Sequence, residues 1–182
     1  MKPLSADEFL NLMSRVGIGI NAQYAANWPR NLAFQSESVA SISWSSDNDA
    51  GFLVRFLSDM LDVLCANEAA YLWPKSPNWI NELTGSHPVA GVWCHDLATL
   101  NSGEGAIEFD KIDRPVLVSA LASSVVFGWS WPSDLYVVPA TGVAVVHIGH
   151  SEDVLVAFAT DASRSEFAAA LEARNWRLDD DE

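Results

Sequence analysis

The fold is decided by residues 135–158, LYVVPATGVAVVHIGHSEDVLVAF. Three runs rich in β-branched residues, Leu135–Val138, Val143–Ile148 and Val154–Phe158, are separated by two short turn segments. Each run has the length and composition of a β-strand. Because connections this short join antiparallel neighbours, the segment predicts a three-stranded meander.

Helical patterns precede and follow this meander. A capping box at Ser5-Ala6-Asp7-Glu8 opens a first helix, and residues 50–66 carry a wide apolar face that predicts burial between two layers. A third helix is predicted from residue 113 to 127, with Pro115 in its first turn. Ser163-Arg164-Ser165-Glu166 reads as a second capping box that opens the last helix.

Weaker signals indicate further elements in the first two thirds of the chain. Short strands are predicted at Ser38–Trp44, Tyr71–Trp73, Val89–Trp93 and Ile107–Phe109, and a helical turn at Pro77–Leu83. The order of elements predicts an α+β fold, mainly an antiparallel sheet with the C-terminal meander packed by helices. No repeat or linker divides the chain, so residues 1–182 are expected to form a single domain with a frayed acidic tail, 179–182.

The charge of the chain is strongly one-sided. Twenty-four acidic residues against ten Lys and Arg give a formal net charge of −14, while hydrophobic residues make up 49% of the sequence. That apolar content predicts a folded core rather than disorder. Solubility needs a net charge of only about 2 to 8. A negative surface repels nucleic acid and anionic membrane and attracts basic partners, and no basic patch suits nucleic acid.

The N-terminus and the cysteines bear on localisation. Residues 1–8 lack the apolar region of a signal peptide, and no apolar run reaches the ~18 residues that span a bilayer. Two cysteines, Cys65 and Cys94, do not form a disulfide framework. The sequence therefore predicts a cytoplasmic protein with reduced, buried thiols; a Cys65–Cys94 disulfide is the less favoured alternative.

The triplet Cys94-His95-Asp96 invites interpretation as a nucleophile with its base. Adjacent side chains on an extended segment point to opposite faces, so Cys94 and His95 would not readily share a proton. His147 or His150 could act as the base instead, and an enzyme or ligand-binding domain using Cys94, His95 or His147 remains the alternative. The prediction is that the protein is not an enzyme and has no catalytic residues.

The histidines and glycines of the chain do not form a known metal or cofactor motif. The four histidines, His87, His95, His147 and His150, do not show the recurring spacings of paired zinc ligands. The Gly17-x-Gly19 pair lacks the third glycine of a dinucleotide fingerprint, and no P-loop is present. We therefore expect no metal and no cofactor.

Acidic residues cluster in predicted loops and at the ends of elements, where side chains project into solvent. Trp129 and Trp131 lie in the turn before the meander, as interface anchors or, alternatively, as rings that cap the core. We expect these loops to contribute to one partner-binding face. The predicted partner-binding residues are Asp47, Asp49, Glu104, Glu108, Asp110, Trp129, Trp131, Glu152 and Asp153.

In overall character the chain resembles the immunity proteins that bacteria make against polymorphic and secreted toxins. The resemblance rests on small size, acidity, tryptophan content and an ending that runs from Asp134–Val138 through Val154–Phe158 to a capped helix. It covers the whole chain but includes no single motif, so no family residue is carried over. It implies an antitoxin that binds one cognate toxin tightly and protects the producing cell. We expect a monomer or weak homodimer; a homo-oligomeric scaffold subunit is a further alternative.

Overall fold

The computed structural model describes residues 1–20, 32–34, 40–45, 50–74, 105–127, 134–148 and 153–176. The strands are β1 Lys2–Leu4, β2 Ile18–Ile20, β3 Leu32–Phe34, β4 Ala40–Ser45, β5 Ala70–Pro74, β6 Ala106–Phe109, β7 Leu135–Pro139, β8 Ala144–Ile148 and β9 Asp153–Phe158. The helices are α1 Ala6–Ser14, α2 Ala50–Cys65, α3 Arg114–Phe127 and α4 Asp161–Glu172, with a 3₁₀ turn at Lys111–Asp113. The predicted α+β class is confirmed.

One sheet of seven strands organises the described residues, in the order β1-β6-β5-β7-β8-β9-β4. Every neighbouring pair is antiparallel. Strands β7, β8 and β9 form the predicted meander, and β4 adds to its outer edge in a register that runs from Ala40 opposite Phe158 to Ser45 opposite Asp153. The β7–β8 turn closes with a hydrogen bond from the Gly142 N–H to the Pro139 carbonyl at 2.8 Å.

Helices α2, α3 and α4 cover one face of this sheet. A row of buried residues, Leu72, Val137, Val146 and Val156, crosses β5, β7, β8 and β9 beneath them. Burial of each aliphatic side chain of this size stabilises the fold by about 1.5–3 kcal/mol. The wide apolar face predicted for α2 is therefore buried, except that Phe52 is half exposed and lies edge-on against Trp176.

The opposite face carries α1 and the antiparallel pair of strands β2 and β3. Phe9 of α1 stacks on Trp73 with ring centroids 4.9 Å apart and meets Tyr71 edge-on at 5.9 Å. Met13 and Ile18 extend this second core. The sheet is thus the middle of three layers.

Three short strands, β1, β2 and β3, were not predicted. Strand β1 contains Pro3 and lies at the edge of the sheet, where a strand tolerates proline. It pairs with β6 at close range: a Cβ built on Gly105 would lie 1.7 Å from the Leu4 carbonyl oxygen. The absence of a side chain at Gly105 therefore makes this pairing possible.

The two predicted capping boxes have different outcomes. The first is confirmed, since the Ser5 hydroxyl accepts the Glu8 N–H at 3.2 Å and the Glu8 carboxylate accepts the Ser5 N–H at 2.9 Å. The second is wrong: α4 begins at Asp161, and the N-cap is Thr160, whose hydroxyl accepts the Ser163 N–H at 3.1 Å. Thr160 supplies the same cap chemistry one turn earlier, so Ser163 becomes the third residue of the helix.

Helix α3 is apolar almost all round, as predicted, and most of its described side chains are buried. Its serines are accommodated by back-bonding, since the Ser123 hydroxyl donates to the Ser119 carbonyl at 2.8 Å. Trp73 and Trp176 lie in the core as expected. The predictions for Pro77–Leu83, Val89–Trp93 and the tail 179–182 lie outside the described residues.

Candidate partner-binding surface

Only part of the predicted site lies within the described residues. Glu108 and Asp110 are described, and Asp153 is placed as the first residue of β9, paired with Ser45. The remaining predicted residues lie outside the described ranges: Asp47, Asp49, Glu104, Trp129, Trp131 and Glu152.

The strand ends show where those six residues attach to the fold. Ser45 ends β4 opposite the start of β9, and Leu135 starts β7 opposite both the end of β5 and the end of β8. Because all neighbours are antiparallel, β6 also starts at this end of the sheet. Segments 46–49, 75–104, 128–133 and 149–152 are therefore attached to the same end of the sheet, whereas Asp110 follows β6 at the opposite end.

The two described acids belong to different surroundings. Glu108 lies opposite Lys2 of β1 and Tyr71 of β5 in the strand register. Burial raises the pKa of the Tyr71 hydroxyl above its usual value, and the nearby Glu108 carboxylate adds to that rise. Asp110 is exposed and precedes the 3₁₀ turn, where its side chain makes no capping hydrogen bond. Asp110 is thus the more accessible of the two.

Asp110 stands beside a contact between α2 and α3 that the sequence did not reveal. Arg114, the first residue of α3, is buried and donates to the Asp62 carboxylate at 2.8 Å. The same guanidinium donates to the backbone carbonyls of Ala66 and Glu68 at 2.6 and 3.2 Å. One cation therefore binds the C-terminal end of α2 to the start of α3.

A groove runs between these two helices and contains a cavity of about 430 Å³. We call it the α2–α3 groove. Its lining residues are Val54, Ser58, Asp62, Lys111, Arg114, Pro115, Val118 and Ser119. Beside it, Ile112 is 87% exposed, the most exposed large apolar side chain among the described residues. The groove therefore offers three apolar side chains among polar and charged ones, and it is open to solvent.

Acidic side chains border this groove, and we call Asp62, Glu68, Asp110 and Asp113 the acidic rim. Asp62, Glu68 and Asp110 are exposed, and Asp113 is half-buried against the Met1 amino group. In the pair of Asp62 with Arg114, the carboxylate side chain is 51% exposed and the arginine side chain 8%. The pair therefore presents its negative partner to solvent.

Exposed acidic residues outnumber exposed basic ones across the whole described surface. Eight acidic residues are exposed against four basic ones, so the surplus of negative charge lies at the surface rather than in buried pairs. The exposed acids are Asp7, Glu8, Asp62, Glu68, Asp110, Asp161, Glu166 and Glu172, and the exposed bases are Lys2, Arg15, Arg55 and Lys111. Of these bases, Lys111 already donates a hydrogen bond to the Asn67 side chain, at 2.7 Å.

A histidine–aspartate pair lies at the end of the sheet where β7 begins and β8 ends. The Nε2 atom of His147 on β8 is 3.4 Å from a carboxylate oxygen of buried Asp134, and the imidazole stacks on Tyr136 at 4.9 Å. This Nε2 atom has no hydrogen-bond partner of good geometry among the described residues. Burial, with help from the Asp134 carboxylate, raises the pKa of the Tyr136 hydroxyl, so this phenol stays protonated at neutral pH.

Other candidates for chemistry can be placed only in part. Cys65 is buried and free, and burial raises the pKa of its thiol to about 11, so it is a poor nucleophile at neutral pH. Cys94, His95, His87 and His150 lie outside the described ranges. Within those ranges, no group of three or more potential ligand side chains is arranged to hold a metal ion. None of the described helices is long and apolar enough to cross a membrane.

Sequence reasoning had selected Glu108 and Asp110 but missed Asp62 and Glu68. Those two residues join the rim only because Arg114 brings the end of α2 to the start of α3. A buried arginine carries no local sequence signal. Comparisons of this chain with protein-family models, curated proteins and solved structures find no match.

Proposed function

We propose that this protein is a cytoplasmic inhibitor of the immunity type, which binds and neutralises a cognate basic protein toxin through its acidic surface. The observation that supports this proposal is the excess of exposed carboxylates over exposed cations among the described residues of an α+β fold. The electrostatic field of a negatively charged surface attracts a positively charged partner and raises the rate at which the two associate. The acidic rim lies beside exposed apolar side chains, the combination from which protein interfaces are built.

The test begins by recovering the partner. The tagged protein is used to capture proteins from a lysate of the source organism, and mass spectrometry identifies those that bind stoichiometrically. The proposal expects one basic protein that is toxic when expressed alone and harmless when co-expressed. Recovery of a neutral or acidic partner, or of a basic one whose toxicity is unaffected, would contradict it.

Matched charge reversals then test the mechanism. Glu68→Lys with Asp110→Lys changes the acidic rim, and Glu166→Lys with Glu172→Lys makes the same change in charge on α4. The rim variant is expected to slow association with the recovered partner about 10-fold at low salt and to flatten its dependence on ionic strength. The α4 variant should change the rate less.

The other predicted clusters complete the series. Asp47 with Asp49, and Glu152 with Asp153, are reversed in the same way, because they belong to the predicted binding face. If reversal of all of these clusters, the rim included, leaves the association rate unchanged, electrostatic steering is not the mechanism.

A further inference from the structure

We propose that the α2–α3 groove seats the apolar face of a basic amphipathic helix of the partner. This inference rests on the proposed function and specifies the chemistry of the segment that docks. The lining of the groove combines apolar side chains and small hydroxyl residues with three charged side chains. The Ser119 hydroxyl donates to the Pro115 carbonyl at 2.9 Å, so that side chain is already satisfied within α3.

The dimensions suit a helix. The cavity of about 430 Å³ is large enough for bulky apolar side chains. Its lining on α2 runs from Val54 to Asp62. At 1.5 Å per residue that stretch is about 12 Å long, or roughly two helical turns. Apolar anchors at positions i, i+4 and i+7 of a docking helix span about 10 Å, so they fit along it.

The groove is also held in shape before any partner arrives. Arg114 fixes the start of α3 to Asp62 and to the Ala66 carbonyl near the end of α2, at 2.8 and 2.6 Å. Lys111 adds a hydrogen bond to Asn67 across the same contact. A preformed site binds more tightly because less conformational freedom is lost on association.

Charge complementarity selects a basic occupant. Two cations line the groove, but Arg114 is buried and only Lys111 is exposed, whereas three carboxylates around it, those of Asp62, Glu68 and Asp110, are exposed. Lys or Arg side chains that flank the apolar stripe of a docking helix would meet these carboxylates. Val54 supplies exposed apolar surface within the groove, and exposed Ile112, which is not part of its lining, supplies more beside it.

The probe is a synthetic 18-residue peptide with leucines on one helical face and lysines on the other. Binding is followed by amide chemical shifts of the full-length, isotope-labelled protein and by fluorescence anisotropy of the labelled peptide. Two variants are compared: Val54→Arg in the groove and Val143→Arg away from it. The two valines are 37% and 38% exposed, so both substitutions add one positive charge at an equally accessible site.

The expected result is that Val54→Arg weakens peptide binding about 10-fold or more, while Val143→Arg changes it less than about 2-fold. Shift changes should concentrate on α2 and α3. Equal weakening by both variants indicates general attraction to a negative surface and overturns the proposal. Thermal unfolding verifies that both variants are folded; Ser58→Trp, which fills the groove without a change in charge, replaces Val54→Arg if that variant is not.

A second probe tests the competing occupant. Decanoate is titrated under the same conditions, because Lys111 and Arg114 could instead hold the carboxylate of a small amphiphile. Displacement of the peptide by decanoate, with shifts confined to the groove, overturns the proposal. If the recovered partner is basic and sensitive to the rim reversal but indifferent to Val54→Arg, only the groove inference fails. If the recovered partner is not basic, the proposed function itself fails.

Discussion

At the scale of single residues, two glycines have the same backbone conformation in different surroundings. Gly17 and Gly142 have positive φ angles of 75° and 68°, a region that side chains disfavour. A Cβ on Gly17 would meet nothing within 4 Å, whereas one on Gly142 would lie 2.5 Å from the Val16 Cβ. Val16, which follows α1, therefore packs directly against the β7–β8 turn.

This difference makes a matched prediction. Gly17→Ala is expected to lower the free energy of unfolding by about 1 kcal/mol, the cost of the left-handed backbone alone. Gly142→Ala should lower it by about 2–4 kcal/mol, because overpacking against Val16 adds to that cost. Urea denaturation of both variants measures the difference. Equal losses would mean that Val16 does not pack against this turn.

At the scale of elements, a carboxylate on α2 holds the end of α4 in place. Asp59 accepts hydrogen bonds from the Arg174 guanidinium and the Trp176 indole N–H, each at 2.8 Å. Arg55 lies over the indole, with its guanidinium carbon 5.3 Å from the ring centroid. Partial burial tends to raise the pKa of Asp59, but the hydrogen bonds from Trp176 and Arg174 outweigh it and hold the pKa below its usual 3.8.

The sign of the resulting pH dependence follows from that lowered pKa. Because the folded state binds the proton more weakly, Asp59 adds stability above pH 3.8, and this is lost as pH falls through the lower folded value. Asp59→Asn should lower the free energy of unfolding by about 1–2 kcal/mol at pH 7. The difference in unfolding free energy between wild type and variant should become smaller below pH 4.

Urea denaturation at pH 7, 5, 4 and 3 checks this prediction. Glu172→Gln is the control, since it removes an exposed carboxylate from α4. The control should stay close to wild type at pH 7. A gap for Asp59→Asn that stays constant down to pH 3 would exclude the ionised carboxylate as its cause.

The same elements show what local sequence can predict. The meander, the apolar face of α2 and the all-round apolar α3 were predicted because each is encoded within one continuous stretch of sequence. Strand β1 was missed because it depends on Gly105, about a hundred residues away, to approach β6. Ser163 was predicted as the N-cap because Glu166 follows it three residues later, whereas Thr160, the N-cap that forms, has no Glu or Gln at that spacing.

The residues of the candidate site also differ in whether the local sequence could predict them. Asp110 could be selected from sequence because it stands at the end of a strand signal in an acidic stretch. Asp62 and Glu68 could not, because their role depends on Arg114, whose burial follows from tertiary packing. The Asp134–His147 pair likewise joins β8 to the residue that precedes β7, and no local pattern marks it.

At the scale of the whole molecule, the surplus charge opposes folding while it favours a basic partner. A formal charge of −14 on one compact chain produces self-repulsion that the unfolded chain partly relieves by expanding. The Debye length falls from about 30 Å at 0.01 M salt to about 10 Å at 0.1 M. Moderate salt therefore screens repulsion across the molecule more than it screens close contacts such as Arg174 with Asp59 at 2.8 Å.

Salt should accordingly stabilise the protein. Raising sodium chloride from about 0.01 to 0.3 M is expected to increase the free energy of unfolding by about 1–2 kcal/mol, because repulsion is screened. Chloride is chosen because sulfate stabilises proteins by exclusion from their surface. The control combines Glu68, Asp110, Glu166 and Glu172, each changed to Lys, which raises the formal charge by eight, from −14 to −6. Its gain with salt should be smaller. An equal gain in unfolding free energy in both proteins would mean that net charge is not the cause of the salt effect. A smaller gain in the control shows that the negative charge proposed to attract the partner also destabilises the free protein. A basic partner would relieve that destabilisation on binding.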